Sequence, residues 1–119
     1  MEDNNFNAWL AGFWEGEGSL TKFKNLKDVY RITITQTIRD DRTTAETMEK
    51  IKQIFGGNYY ISNDKKYRKL ARYALDKQKN VLNFLEAIYP YCHIRKNDIK
   101  KALTSFHYKA MNQLDIVNK

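Results

Sequence analysis

The stretch Leu10-Ala11-Gly12-Phe13-Trp14-Glu15-Gly16-Glu17-Gly18 constrains this chain more than any other. Read as a helix from about Asn5, it sets Ala8, Gly12 and Gly16 four residues apart, so residues with little or no side chain stack on one face. Opposite lie Phe6, Leu10, Phe13 and Trp14 at spacings of three and four, the apolar stripe of a helix resting on its own core. A glycine inside a helix costs about 1 kcal/mol relative to alanine. Two of them argue that something packs on the small face; the plain alternative is an accidental run of small residues. Glu15 and Glu17 fall in the last turn, where the helix dipole is negative and a carboxylate calls for a cation or a basic partner. A divalent metal is the obvious candidate.

Leu10 to Gly18 resembles the nine-residue signature of the LAGLIDADG homing endonucleases, spelled here L-A-G-F-W-E-G-E-G. Small residues, bulky residues and both acids fall in order, with Glu in place of Asp at both acidic positions and Trp14 bulkier than the usual aliphatic residue. The resemblance implies that the motif helices of two half-domains pack together, here through Ala8, Gly12, Glu15 and Gly16. It also implies that the last acid of each helix, Glu17, is a metal ligand and catalytic group in a shared nuclease site, helped by the carbonyl of Gly16. Glu15 is then a helix-interface or capping group rather than a ligand.

At 119 residues the chain reads as one domain, residues 1–119, large enough for a single core and small enough to gain from a dimer interface. A net charge of +7 and a pI near 9.5 suit either a polyanionic partner or a plain basic protein, the 21 Lys and Arg being spread along the chain rather than gathered in a tail. One cysteine, Cys92, rules out an intrachain disulfide and fits a reducing compartment. No secretory signal and no apolar run near the ~20 residues of a membrane span is evident, so the expectation is a soluble intracellular protein of the cytoplasm or an organelle matrix, with no membrane partner. His93 and His107 lack zinc spacing and no phosphate-binding glycine loop occurs, which speaks against zinc nucleases and a nucleotide cofactor.

Beyond the motif, Ser19 to Lys24 and Val29 to Gln36 read as a hairpin turned at Asn25-Leu26-Lys27-Asp28, with Ile32 and Ile34 alternating against Arg31, Thr33 and Thr35. Asp40, Asp41 and Thr43 open a helix with Met48, Ile51, Ile54 and Phe55 on one face, stopped by Gly56-Gly57. A second hairpin runs from Asn58 to Ser62 and from Tyr67 to Leu75, with Tyr73 and Leu75 inward and Leu70, Arg72 and Ala74 outward. Asp76 is placed to cap a helix with Val81, Leu82, Leu85 and Ile88 inward, ended by Pro90; a last helix begins near Asn97, with Ile99, Leu103, Phe106, Ala110 and Leu114 as its stripe. The order αββαββα(α) predicts an α+β fold, a four-stranded antiparallel sheet with helices on one face and the other face open.

An open face lined by Arg, Lys, Thr, Asn and Tyr is either an ordinary solvated surface or a saddle for duplex DNA, whose major groove admits a β-ribbon. The motif and the charge favour DNA. Base contacts are expected from Thr21, Phe23, Arg31, Thr33, Thr35, Tyr59, Asn63 and Arg72, and phosphate contacts from Lys27, Lys65 and Arg68. A strand of about eight residues spans roughly 26 Å, or about eight base pairs, so one chain reads a half-site. A homodimer would read a long pseudo-palindrome. Family members with one motif per chain are similar in this respect.

Hydrolysis of a phosphodiester needs an activated water, charge relief on phosphoryl oxygens and a stabilised leaving alkoxide, all of which Mg²⁺ or another hard divalent cation supplies. The resemblance further implies a polar water-ordering residue at the end of the strand after the turn, which Gln36 matches, and a basic residue beyond the proline, for which Arg95 is best placed and Lys96 next. It implies double-strand cleavage with short 3′ overhangs. A cleavage-inactive binding module, such as an intron-splicing maturase, and a basic domain without nucleic-acid specificity are the alternatives.

Overall fold

Two hairpins, each introduced by a helix, form one sheet, and the remaining helical elements close over the same side. The computed structural model describes residues 4–26, 28–38, 41–63 and 69–117. Helix α1 (Asn4–Glu17) leads directly into β1 (Gly18–Lys22), followed by β2 (Tyr30–Thr37), α2 (Asp41–Phe55), β3 (Asn58–Asn63) and β4 (Lys69–Leu75). Helix α3 (Gln78–Ile88), a 3₁₀ turn (Tyr89–Tyr91) and α4 (Lys96–Val117) complete the described chain.

The strand order is β1-β2-β4-β3, antiparallel throughout, so the inner strands of the two hairpins lie side by side at the centre. Ile32 pairs with Leu75 and Ile34 with Tyr73, and residues directly opposite share a face. That face is buried under Leu10, Ala11 and Trp14 of α1, Met48, Ile51 and Phe55 of α2, and Val81, Phe84, Leu85 and Ile88 of α3, with Ile99 and Ala102 of α4 in the same core. Burial of such side chains stabilises by about 1.5–3 kcal/mol each. The opposite face carries no helix among the described residues, as the polar phase of β2 requires.

The glycine pair ends α2 as expected. Gly56 and Gly57 have φ of +86° and +84°, the Gly56 N–H bonds the Lys52 carbonyl at 2.7 Å, and the Tyr73 hydroxyl donates to the Gly56 carbonyl at 2.6 Å. Burial pushes the Tyr73 phenol up.

Three expectations are corrected. Ile54 is 50% exposed, because it lies about 100° around the helix from Phe55 and outside the stripe of Met48, Ile51 and Phe55. Asp76 caps nothing: the residue before α3 is Lys77, without a side-chain cap, and Asp76 instead pairs with Arg31 across the sheet. Tyr59 and Asn63 belong to the helix side of the sheet. Tyr59 pairs with Tyr73 and Asn63 with Lys69, so the two-residue period sends Tyr60 and Ser62 to the open face in their place. Tyr59 packs on the core and donates its hydroxyl to Glu49 of α2, a bond that, with burial, raises its pKa.

Candidate active site and nucleic-acid interface

The end of α1 and the start of α4 are tied together by two reciprocal contacts. The Glu15 carboxylate accepts the backbone N–H groups of His93 (3.0 Å), Ile94 (2.6 Å) and Arg95 (2.8 Å), three consecutive donors of the segment that leads into α4. Burial pushes the Glu15 carboxyl up, but the backbone bonds from Arg95, His93 and Ile94, with the field of His93, outweigh it and leave the group below its ordinary value. In return, Arg95 Nη1 donates to the Gly18 carbonyl at 2.5 Å, and its guanidinium lies 5.2 Å from the centroid of the Trp14 ring.

Around that junction the three motif glycines differ. A Cβ at Gly12 or Gly16 would meet nothing within 4 Å, and both residues are exposed with Ala8. A Cβ at Gly18 would collide with Trp14 Cδ1 and lie 2.6 Å from its Nε1 and 2.9 Å from the Thr33 carbonyl oxygen. Gly18 is thus required by the fold of the single chain, while Gly12 and Gly16 are not. Beside the small-residue face, Trp9 is 47% exposed and stacks on Phe13 at 5.0 Å, with Phe6 at 5.7 Å on its other side. Glu17 is exposed at the helix end, next to Gly16, whose carbonyl falls among the last four of the helix and has no partner within it. Among the described residues no three His, Cys, Asp or Glu side chains gather to hold a metal.

On the open face, Ser19 pairs with Thr33 and Thr21 with Arg31 in β1–β2, while Thr35 pairs with Arg72 in β2–β4. The hydroxyls of Ser19 and Thr33 are 2.9 Å apart. Arg31 is clamped by Asp76, Nε–H to Oδ1 at 2.5 Å and Nη2–H to Oδ2 at 3.0 Å, and its guanidinium lies 5.4 Å from the Phe23 ring centroid. The pairing raises the Arg31 pKa further above its ordinary value.

The family model described as LAGLIDADG endonuclease matches residues 10–114. The chain belongs to the LAGLIDADG endonuclease family. A curated relative, Probable intron-encoded endonuclease aI2 of Debaryomyces hansenii, is 30% identical over 86 residues, which are 72% of this chain and 12% of the relative. The LAGLIDADG fold is shared with the solved homing endonuclease I-CvuI in complex with its target, with a TM-score of 0.61 and 17% identity over 85% of this chain and 65% of that one. Meganuclease I-SmaMI bound to uncleaveable DNA aligns with a TM-score of 0.59 and 22% identity over 91% of this chain and 39% of that one. The archaeal intron-encoded homing endonuclease I-Vdi141I complexed with DNA gives 0.55 and 19% over 85% and 66%. The chain thus spans a small part of the curated relative and under two thirds of the first of these solved chains.

The structure brings some of the predicted site residues together and holds others apart. Arg95 meets the end of the motif helix, one residue beyond Glu17. Gln36 does not: it shares the helix-side face with Ile32 and Ile34 and lines a cleft of about 130 Å³ with Trp9, Phe13, Thr43, Thr44, Thr47 and Met48, its Oε1 buried without a partner. No hydrogen bond links it to Glu17 or Arg95 among the described residues. Glu15, expected at the dimer interface or as a cap, faces its own α4 as an anchor. Thr21, Phe23, Arg31, Thr33, Thr35 and Arg72 lie on the open-face phase of their strands; Tyr59 and Asn63 do not; Lys27, Lys65 and Arg68 lie outside the described residues. Sequence reasoning missed Trp9, although its spacing to Phe6 and Phe13 marks an aromatic ridge. It also missed the pairing role of Asp76, which sits two residues beyond Ala74 on the same alternation.

Proposed function

We propose that this chain is the half-site subunit of a site-specific endonuclease: residues 1–119 form one domain, two copies pair through Ala8, Gly12 and Gly16, and the dimer cuts both strands of a long pseudo-palindromic DNA site, leaving short 3′ overhangs. One observation carries the dimer. Nothing within the described chain demands a glycine at 12 or 16, each costs about 1 kcal/mol of helix stability, and both are exposed beside Glu17. Close approach by the same helix of a second copy accounts for both and sets two Glu17 carboxylates near each other. Family membership and the DNA-bound state of the solved relatives support duplex DNA as the substrate.

The donor set fits a hard divalent cation such as Mg²⁺. Glu17 offers an exposed carboxylate and Gly16 a helix-end carbonyl, both oxygen ligands, and a cation that keeps waters and takes phosphate oxygens needs few protein ligands. Bound there, it supplies a water activated near neutral pH and charge relief at the phosphoryl and leaving oxygens. Arg95, held by Gly18 and Trp14, keeps guanidinium donors for the phosphate and stays charged at any working pH. Glu15 holds the loop carrying Arg95 in place. The open sheet face reads the major groove through Thr33, Thr35, Arg31 and Arg72.

The test is cleavage of a randomised duplex library with Mg²⁺ by wild type and Glu17→Gln. Selective double-strand cutting at the centre of a pseudo-palindrome, lost in the variant while binding survives, is the expected result. If neither protein cuts yet both bind one RNA or DNA selectively, the chain is a binding module and the endonuclease reading falls.

A further inference from the structure

The Arg31–Asp76 pair does more than neutralise two surface charges. Both partners are substantially exposed, with side-chain exposures of 43% and 52%, and an isolated exposed ion pair contributes little to stability. Its geometry is instead directional. Asp76 extends the open-face alternation of β4 by one step beyond Ala74, and Arg31 is its cross-strand neighbour on β2, since Ile32 pairs with Leu75. The carboxylate takes Nε–H and one Nη2–H, the side of the guanidinium fork, and Phe23 supports its plane from β1's end. Both hydrogens on Nη1 and the second on Nη2 are left, and the outer two of these are parallel donors at the tip of the fork. Such a tip matches O6 and N7 of guanine in the major groove.

We propose that Asp76 is a positioning residue that presets Arg31 as a guanine reader on the open sheet face. This rests on the reading of that face as a DNA interface. A long arginine free in solution loses rotamer freedom on binding a base; one already clamped at two donors and against a ring loses less, so the clamp strengthens the guanine contact and with it the discrimination at that one position.

The experiment selects bound duplexes from a randomised library with the full chain in Ca²⁺ buffer, then measures relative affinities for single-base variants of the recovered site. Wild type is expected to prefer guanine at one position of each half-site by about ten- to hundredfold over other bases. Arg31→Lys, which keeps the charge and loses the fork, and Asp76→Asn, which leaves Arg31 in place, each cut that preference to under about threefold, with all other positions unchanged. The double variant loses no more than either alone. A merely structural pair would weaken every site alike. A guanine preference that survives Asp76→Asn overturns the positioning role, and a site in which no position responds to Arg31→Lys overturns the reader; in both cases the recovered site leaves the DNA reading standing. Failure to recover any duplex removes the DNA reading and this inference together.

Discussion

Arg95 and Glu15, eighty residues apart in sequence, hold each other's helix ends: the Arg95 N–H reaches the Glu15 carboxylate at 2.8 Å while its own guanidinium reaches back past Trp14 to the Gly18 carbonyl at 2.5 Å. The last turn of α1 and the segment leading into α4 are thereby tied together, and a guanidinium is fixed at the backbone one residue beyond Glu17.

Removing that acceptor leaves the N–H groups of His93, Ile94 and Arg95 without their charged partner. Glu15→Ala is expected to cost about 1–3 kcal/mol in urea unfolding at pH 7, and Glu15→Gln less, since one oxygen remains. The folded carboxyl titrates below its ordinary value near 4.5, so its contribution is complete above the unfolded pKa and is lost as pH falls through the folded one. The gap between wild type and Glu15→Ala should therefore narrow below about pH 4. An unchanged gap at pH 3 counts against the anchor.

The motif glycines differ in what the single chain demands of them. Gly18→Ala drives a methyl into the Trp14 indole and is expected to destabilise by about 1–3 kcal/mol or more, read by thermal unfolding. Gly12→Leu has open space in the single chain and removes a helix-interior glycine, so its unfolding midpoint at low concentration should hold or rise. In sedimentation the same variant should be monomeric at concentrations where wild type pairs.

The two faces of the sheet give a paired comparison. Arg72→Ala, on the open face, should change base preference at particular positions in a panel of single-base-variant duplexes. Tyr59→Phe, on the helix face, should leave every preference alone and lose about 0.5–1.5 kcal/mol of stability with the Glu49 bond. Equal losses at all sites for Arg72→Ala would remove it from base reading.

Burial, reinforced by the Glu15 charge, pushes the Cys92 thiol up to about 11 from an ordinary 9.0. Little thiolate exists at pH 8, and labelling by an alkylating reagent should be roughly a hundredfold slower than for a free thiol, both because of that shift and because the side chain is covered. Full-rate labelling in the folded protein would contradict this environment.

The nine residues from Leu10 to Gly18, the alternation of Ile32 and Ile34, and the Gly56-Gly57 stop determined the family frame, the element order and the polar phase of β2, because helix and strand periods and positive-φ glycines are local properties that a chain carries with it. The polar face of β3 was not legible. Tyr, Asn and Ser suit either side of an edge strand, and only pairing with Tyr73 decided that Tyr59 turns inward and Tyr60 outward. Asp76 has the composition of a helix cap, and a cross-strand arginine made it a clamp instead. Gln36 ends a strand as the pattern asks, yet α1 and α2 close over it. In each case the local signal was ambiguous and the deciding partner lay on another element: short-range periodicity sets which residues share a face, while packing between elements sets which face meets what.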